Sequence, residues 1–154
     1  MTDNRKKVEE QIAELFNMQR FAVLSTQKNN QPYASLVAFA ASADLKHVYF
    51  LTPNTTRKYE NLTANPEVAV LVNDSRNQAD DIYNAVSVTG TGVAHVVAKG
   101  ENQAALDGYF ERHSHLKAFA AAPTTAFVCI TMNRYFMVNR FQNVVALKVD
   151  NETY

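Results

Sequence analysis

Apolar positions in the opening segment fall at Val8, Ile12, Leu15 and Phe16, with charged residues between them. That 3–4 spacing predicts an amphipathic helix over 1–19, opened by Asp3 or Asn4. The period then shortens. The runs "RFAVLST", "PYASLVAFAAS" and "HVYFLT" are rich in aromatic, β-branched and small residues, and the polar breakers "QKNNQ" and "SADLK" divide them. This is the pattern of a β-meander. "TRKYENLTAN" predicts a short helix with Tyr59 and Leu62 on its inner side, stopped before Pro66. "EVAVLV" predicts a further strand, and "NDSRNQADD" reads as a polar loop.

"NAVSVTGTGVAHVVA" alternates, with Val86, Val88, Ala94 and Val96 on one face and Ser87, Thr89, Thr91 and His95 on the other. A strand of that length is expected to bend at Gly90 and Gly92. "ENQAALDGYFERH" predicts a second helix with Leu106, Tyr109, Phe110 and His113 along one stripe. The closing "TAFVCITMNRYFMVNRFQNVVALKV" supplies one or two more strands. Six or more antiparallel strands with inserted helices make a mainly β, α+β fold: an antiparallel barrel with helical additions.

Composition narrows the function classes. At 154 residues the chain is expected to be a single domain over 1–154, with the barrel over 20–149. Lys and Arg number 15 and Asp and Glu 15, so bulk charge draws in neither nucleic acid nor a membrane surface. The N-terminus is charged rather than apolar, and no run reaches the ~18 residues of a membrane helix, so a cytoplasmic location is expected. The lone Cys129 lies among apolar neighbours and reads as a buried small hydrophobe.

Most candidate chemistry dissolves on inspection. "TGTG" at 89–92 lies inside a strand pattern without a third glycine or a following helix, unlike a dinucleotide-binding turn. His113 and His115 have no carboxylate at ligand spacing and read as helix-end residues, so no metal site is expected. Asp80 and Asp81 are adjacent, so their side chains diverge. No catalytic residue can be named.

"FLTPNTTRKYENL", Phe50 to Leu62, is different. A helix starting near Thr55 or Thr56 presents unpaired N–H groups and its positive dipole end. Thr52 and Thr56 add hydroxyls, Arg57 a planar fork and Lys58 a mobile charge, a set suited to a phosphate. The same residues also suit a capped, solvated turn.

The succession "FAVLST…QPYASLVAFA…HVYFLTPNTTRKYENLTANPEVAVLV" resembles the pyridoxamine 5'-phosphate oxidase-like family of FMN-binding split barrels. The similarity runs over about 8–98, and its most specific part is the strand-end Thr52 followed by Thr56-Arg57-Lys58. The resemblance implies that these groups hold the FMN phosphate, and that Ser35, Leu36, Val37 and Ala38 lie along the flavin ring. It also implies a homodimer with FMN at the subunit interface, to which Arg140 and Gln142 would contribute. The expected function is an FMN-dependent oxidoreductase acting on a small molecule. Alternatives within the fold are a deazaflavin-dependent or nitro-group reductase, or a non-catalytic FMN, haem or tetrapyrrole binder. The chain has no tryptophan, and "FMVNRFQNVVALKVDNETY" has no histidine. The true oxidase grips its vitamin substrate with such groups, so oxidation of pyridoxamine phosphate is not expected.

Overall fold

The computed structural model describes residues 2–139 and 143–150. Helix α1 (Thr2–Met18) leads into strands β1 (Phe21–Lys28), β2 (Gln31–Ala41) and β3 (His47–Pro53). Helix α2 (Arg57–Ala64), β4 (Glu67–Asn73), a one-turn α3 (Asp81–Asn84) and β5 (Ser87–Val97) follow. Helix α4 (Gln103–Arg112), a 3₁₀ turn (Ser114–Leu116), α5 (Lys117–Ala121), β6 (Thr125–Asn139) and β7 (Asn143–Lys148) complete the order. The strands follow the order β3-β2-β1-β4-β5-β6-β7, and an additional β3–β6 pairing closes β1 to β6 into a barrel. Every ladder is antiparallel. The expected α+β barrel with inserted helices is what forms.

Local chemistry explains the turns. Asn29 and Asn30 both take positive φ, 52° and 62°, and join β1 to β2 by the tight turn whose twist matches the paired strands. The β5–β6 register shifts after Thr91, whose partner is Arg134 while that of Gly92 is Met132, so the bulge is Asn133 of β6, opposite the glycines where β5 was expected to bend. Gly92 lies so close to β6 that a Cβ there would be 2.5 Å from the Thr131 carbonyl.

The alternation of β5 holds through Ala94, but Val96, on the inner-facing parity, is 44% exposed. It lies one residue from the end of the strand. The expected polar loop over 73–81 runs into the one-turn α3, which is closed by the Tyr83, Asn84 and Ala85 N–H groups donating to the Asp80 and Asp81 carbonyls, while the Asp81 carboxylate accepts from the Arg76 and Gln78 N–H groups of the loop before it.

There are two cores. The interior holds Leu24, Phe39, Phe50, Val70, Val88, Ile130, Met132 and Tyr135, with Ile12, Leu15 and Phe16 of α1 packed in. Full burial of each such side chain contributes about 1.5–3 kcal/mol. Outside, Tyr109 and Leu106 of α4 and Ala120 of α5 cover Ala40, Tyr49, Leu51, Phe127 and Cys129. Cys129 is buried as expected, and burial pushes its thiol up to about 11.

The glycines of β5 give a stability test. Gly92→Ala drives a methyl into backbone and should destabilise by about 1–3 kcal/mol in urea unfolding. Gly90→Ala meets the movable Met132 Cε first and should cost less.

Candidate functional site

The site is built where β3 ends. Thr56 is the N-cap of α2, with extended backbone (φ −82°, ψ 157°), and its hydroxyl accepts from the Tyr59 N–H at 3.3 Å. The Thr52 and Thr56 hydroxyl oxygens are 2.8 Å apart, and both lie within hydrogen-bonding reach of the Pro53 carbonyl, at 3.2 and 3.0 Å. Thr52 is buried, so its hydroxyl braces the cap from below, whereas Thr56 stands at the rim.

The two cations, Arg57 and Lys58, open the helix that follows this cap. The Arg57 guanidinium lies 5.6 Å from the centre of the half-exposed Tyr33 ring on β2. Glu60, the acid of the first turn, pairs instead with Lys28 of β1, and that hydrogen bond holds its carboxyl below the usual carboxylate range. Among the described residues, neither Arg57 nor Lys58 forms an ion pair, and the first N–H groups of the helix add their dipole. An anion is the chemical complement of this arrangement.

Beside it runs an open strand edge. β2 pairs with β3 only through Phe39, Ala40 and Ala41. Before that point β2 is bonded to β1 alone. Backbone groups of alternate residues face opposite edges. The Tyr33 carbonyl faces β1, accepting the Thr26 hydroxyl, and the Ala38 carbonyl faces away, accepting the Tyr109 hydroxyl at 2.9 Å. Leu36 shares the parity of Ala38, so its N–H and C=O face the open edge, and its side chain is 65% exposed. Ser35 turns its hydroxyl inward, where the oxygen is buried without a partner. Val37 is packed in the interior core and can offer a ligand only backbone. Arg140 and Gln142 lie outside the described residues.

The fold therefore brings Thr52, Thr56, Arg57 and Lys58 together and lays Ser35 to Ala38 on the neighbouring strand. Sequence reasoning missed Asn61 and Thr26, both buried, with the Asn61 amide donating to the Thr26 hydroxyl at 3.1 Å. Their one signal was polarity at inward-facing positions. A groove of about 480 Å³ lies elsewhere, beside Ser25, Gln27, Glu67, Thr91 and Asn133. Those residues include an acid and no cation, so it is not the complement of an anion.

His113 is buried, and its Nε2 donates to the Phe39 carbonyl at 2.8 Å. Asp80 and Asp81 serve the α3 turn, Asp80 accepting from the Asn84 amide.

The comparisons now bear on this geometry. The family model for pyridoxamine 5'-phosphate oxidase matches residues 8–139. The chain belongs to the pyridoxamine 5'-phosphate oxidase-like family. No curated protein matches it in sequence. Among solved structures, a haem-binding protein from Mycobacterium smegmatis superposes with TM-score 0.79 at 15% identity, covering 92% of this chain and 58% of that one. HutZ, a haem-storage protein from Vibrio cholerae, gives 0.71 at 17% identity, covering 81% and 89%. An FAD-binding protein from Mesorhizobium loti gives 0.66 at 19% identity, covering 83% and 91%. At these identities the likeness is one of fold. Two of these neighbours are named for haem and one for FAD.

Burial holds His113 below its ordinary value, so the folded state resists protonating it. The unfolded chain binds the proton more readily, and stability is lost as pH falls below about 6.5. Urea midpoints measured across that range should decline towards acid, and His113→Gln should flatten the decline.

Proposed function

We propose that this family member binds FMN and is a flavin-dependent oxidoreductase, working as a homodimer on a small molecule. The observation that carries the reading is the pair Arg57 and Lys58 at the amide-bearing start of α2, with the nearby acid Glu60 engaged by Lys28. Two cations that form no ion pair among the described residues suit a phosphate dianion, and riboflavin has none to offer. The free edge at Leu36 suits the hydrogen-bonding rim of a flat heterocycle. The residues present fit the cofactor.

When bound, FMN would supply the hydride or electron transfer. The chain's part is to hold and orient it. Arg57 and Lys58 would neutralise the phosphate, Thr56 would fix the helix start, and the Leu36 backbone would align the ring edge.

A second copy supplies cover. Leu36, Val23, Leu71 and Thr89 form one cross-strand row over β2, β1, β4 and β5. On that outward face Phe21 is 55%, Leu36 65% and Val93 43% exposed, an apolar patch flanking the site. Among the described residues no helix is long and apolar enough to cross a membrane.

Absorbance decides first: flavin bands support the reading, and a Soret band would transfer the site to haem, the ligand named for the M. smegmatis and V. cholerae neighbours. Charge-assisted hydrogen bonds are worth ~1.5–3 kcal/mol each, and 1.4 kcal/mol is a decade. Arg57→Ala and Lys58→Ala should each weaken FMN binding by roughly ten- to a hundredfold and leave riboflavin nearly unchanged. Equal losses for both flavins in a titration would sink the phosphate seat.

The dimer is tested separately. Sedimentation should give a dimer at micromolar concentration, with an interface of more than ~2,000 Å². A stable monomer would refute the shared site.

A further inference from the structure

Asn61 is an odd residue for its place. It sits in the interior of an eight-residue helix, 5% exposed, next to Leu62 in the core. Asparagine is a poor helix former, and burying its amide is unfavourable unless the amide is bonded. A leucine would pack the same position without that need. Its partner Thr26, on β1, is 2% exposed, so two polar side chains meet inside the barrel end.

The bonds they make close a ring. The Asn61 amide donates to the Thr26 hydroxyl at 3.1 Å, and that hydroxyl donates, at a long 3.5 Å, to the Tyr33 carbonyl. Tyr33 is the register partner of Thr26, and its ring lies under the Arg57 guanidinium. Arg57 stands one helical turn before Asn61, on the same face of α2. The path runs Arg57, Tyr33, Thr26, Asn61 and back to Arg57 through the helix. Leu62 alone would anchor α2 without direction, because apolar contact tolerates sliding and rotation. The amide–hydroxyl bond does not. A second tie, Lys28 to Glu60, joins the same two elements at the surface, where solvent weakens it.

We infer that Asn61 and Thr26 are positioning residues of the phosphate seat, fixing the rotation of α2 on the β1–β2 hairpin so that Arg57 and the helix-start amides converge on one anion. This rests on the phosphate-seat reading above. Neither residue touches the anion; both act through Arg57 and Tyr33.

The test is a titration of the full chain with FMN and with riboflavin, alongside urea unfolding. Thr26→Val removes the hydroxyl at constant shape, Thr26→Ser keeps it, and Asn61→Leu removes the amide. Thr26→Val and Asn61→Leu should each weaken FMN binding about tenfold and shift riboflavin by less than about twofold. Thr26→Ser should bind FMN like the parent chain. The double variant Thr26→Val/Asn61→Leu should be hardly weaker than either single one, since both break one path. If Asn61→Leu does not fold, the Thr26→Val and Thr26→Ser pair decides alone. Should FMN and riboflavin weaken together, or FMN binding survive in folded Thr26→Val while Arg57→Ala loses it, the positioning role is wrong and the seat stands or falls on Arg57. If Arg57→Ala does not separate the two flavins, the seat itself fails and this inference with it.

Discussion

Closure of the barrel by β3 and β6 is the constraint on which the candidate site depends. The ladder runs from His47 opposite Thr131 to Pro53 opposite Thr125. Pro53 has no N–H to give, so the strand cannot simply continue. One last bond, from the Asn54 N–H to the Thr124 carbonyl at 2.7 Å, ends the pairing. The Thr56 N–H then turns back to the Pro53 carbonyl and α2 begins. A slip of one residue in this register would turn Thr52 outward and dissolve its contact with Thr56. Where the helix starts, and therefore where its amides point, is set by β6, far later in the chain.

Closure in one place forces opening in another. β6 pairs with β5 along most of its length, with β3 through its first half and with β7 through its second. β3 in turn runs with β6 to its end but with β2 only over Val48 to Phe50. The earlier half of β2 is left with one neighbour. An unpaired edge is normally a liability. Here it lies beside the cations of α2, and Tyr109 reaches over from α4 to occupy the Ala38 carbonyl. The chain leaves backbone donors and acceptors unpaired next to an anion-seeking helix end, which is the juxtaposition a phosphorylated ring needs.

Much of this was legible in the sequence, and what was not has a common cause. The inner face of α1, the β1–β2 hairpin and the start of α2 all follow from spacings of a few residues. Thr52, Thr56, Arg57 and Lys58 were legible because cap, hydroxyls and cations are contiguous. The one-turn α3 was missed because a helix of four residues, held by backbone bonds alone, has no apolar period to read. Asn61 and Thr26 were missed because their meaning lies in a contact across 35 residues. A buried amide is indistinguishable from a surface one until its partner is known.

The local charge of the site shows why bulk composition said so little about it. The chain carries 15 basic and 15 acidic residues and no net charge. Yet among the described residues Arg57 and Lys58 form no ion pair, and Glu60, which also feels the Arg57 charge, bonds instead to Lys28 of β1. A Glu60 left free would sit one turn from Arg57 and could neutralise it along the helix. Bonded to Lys28, it leaves the cations of the first turn without an ion pair among the described residues. The Lys28 pair adds little stability at an exposed surface. What it changes is which positive groups remain unsatisfied, and that follows from a tertiary contact rather than from composition.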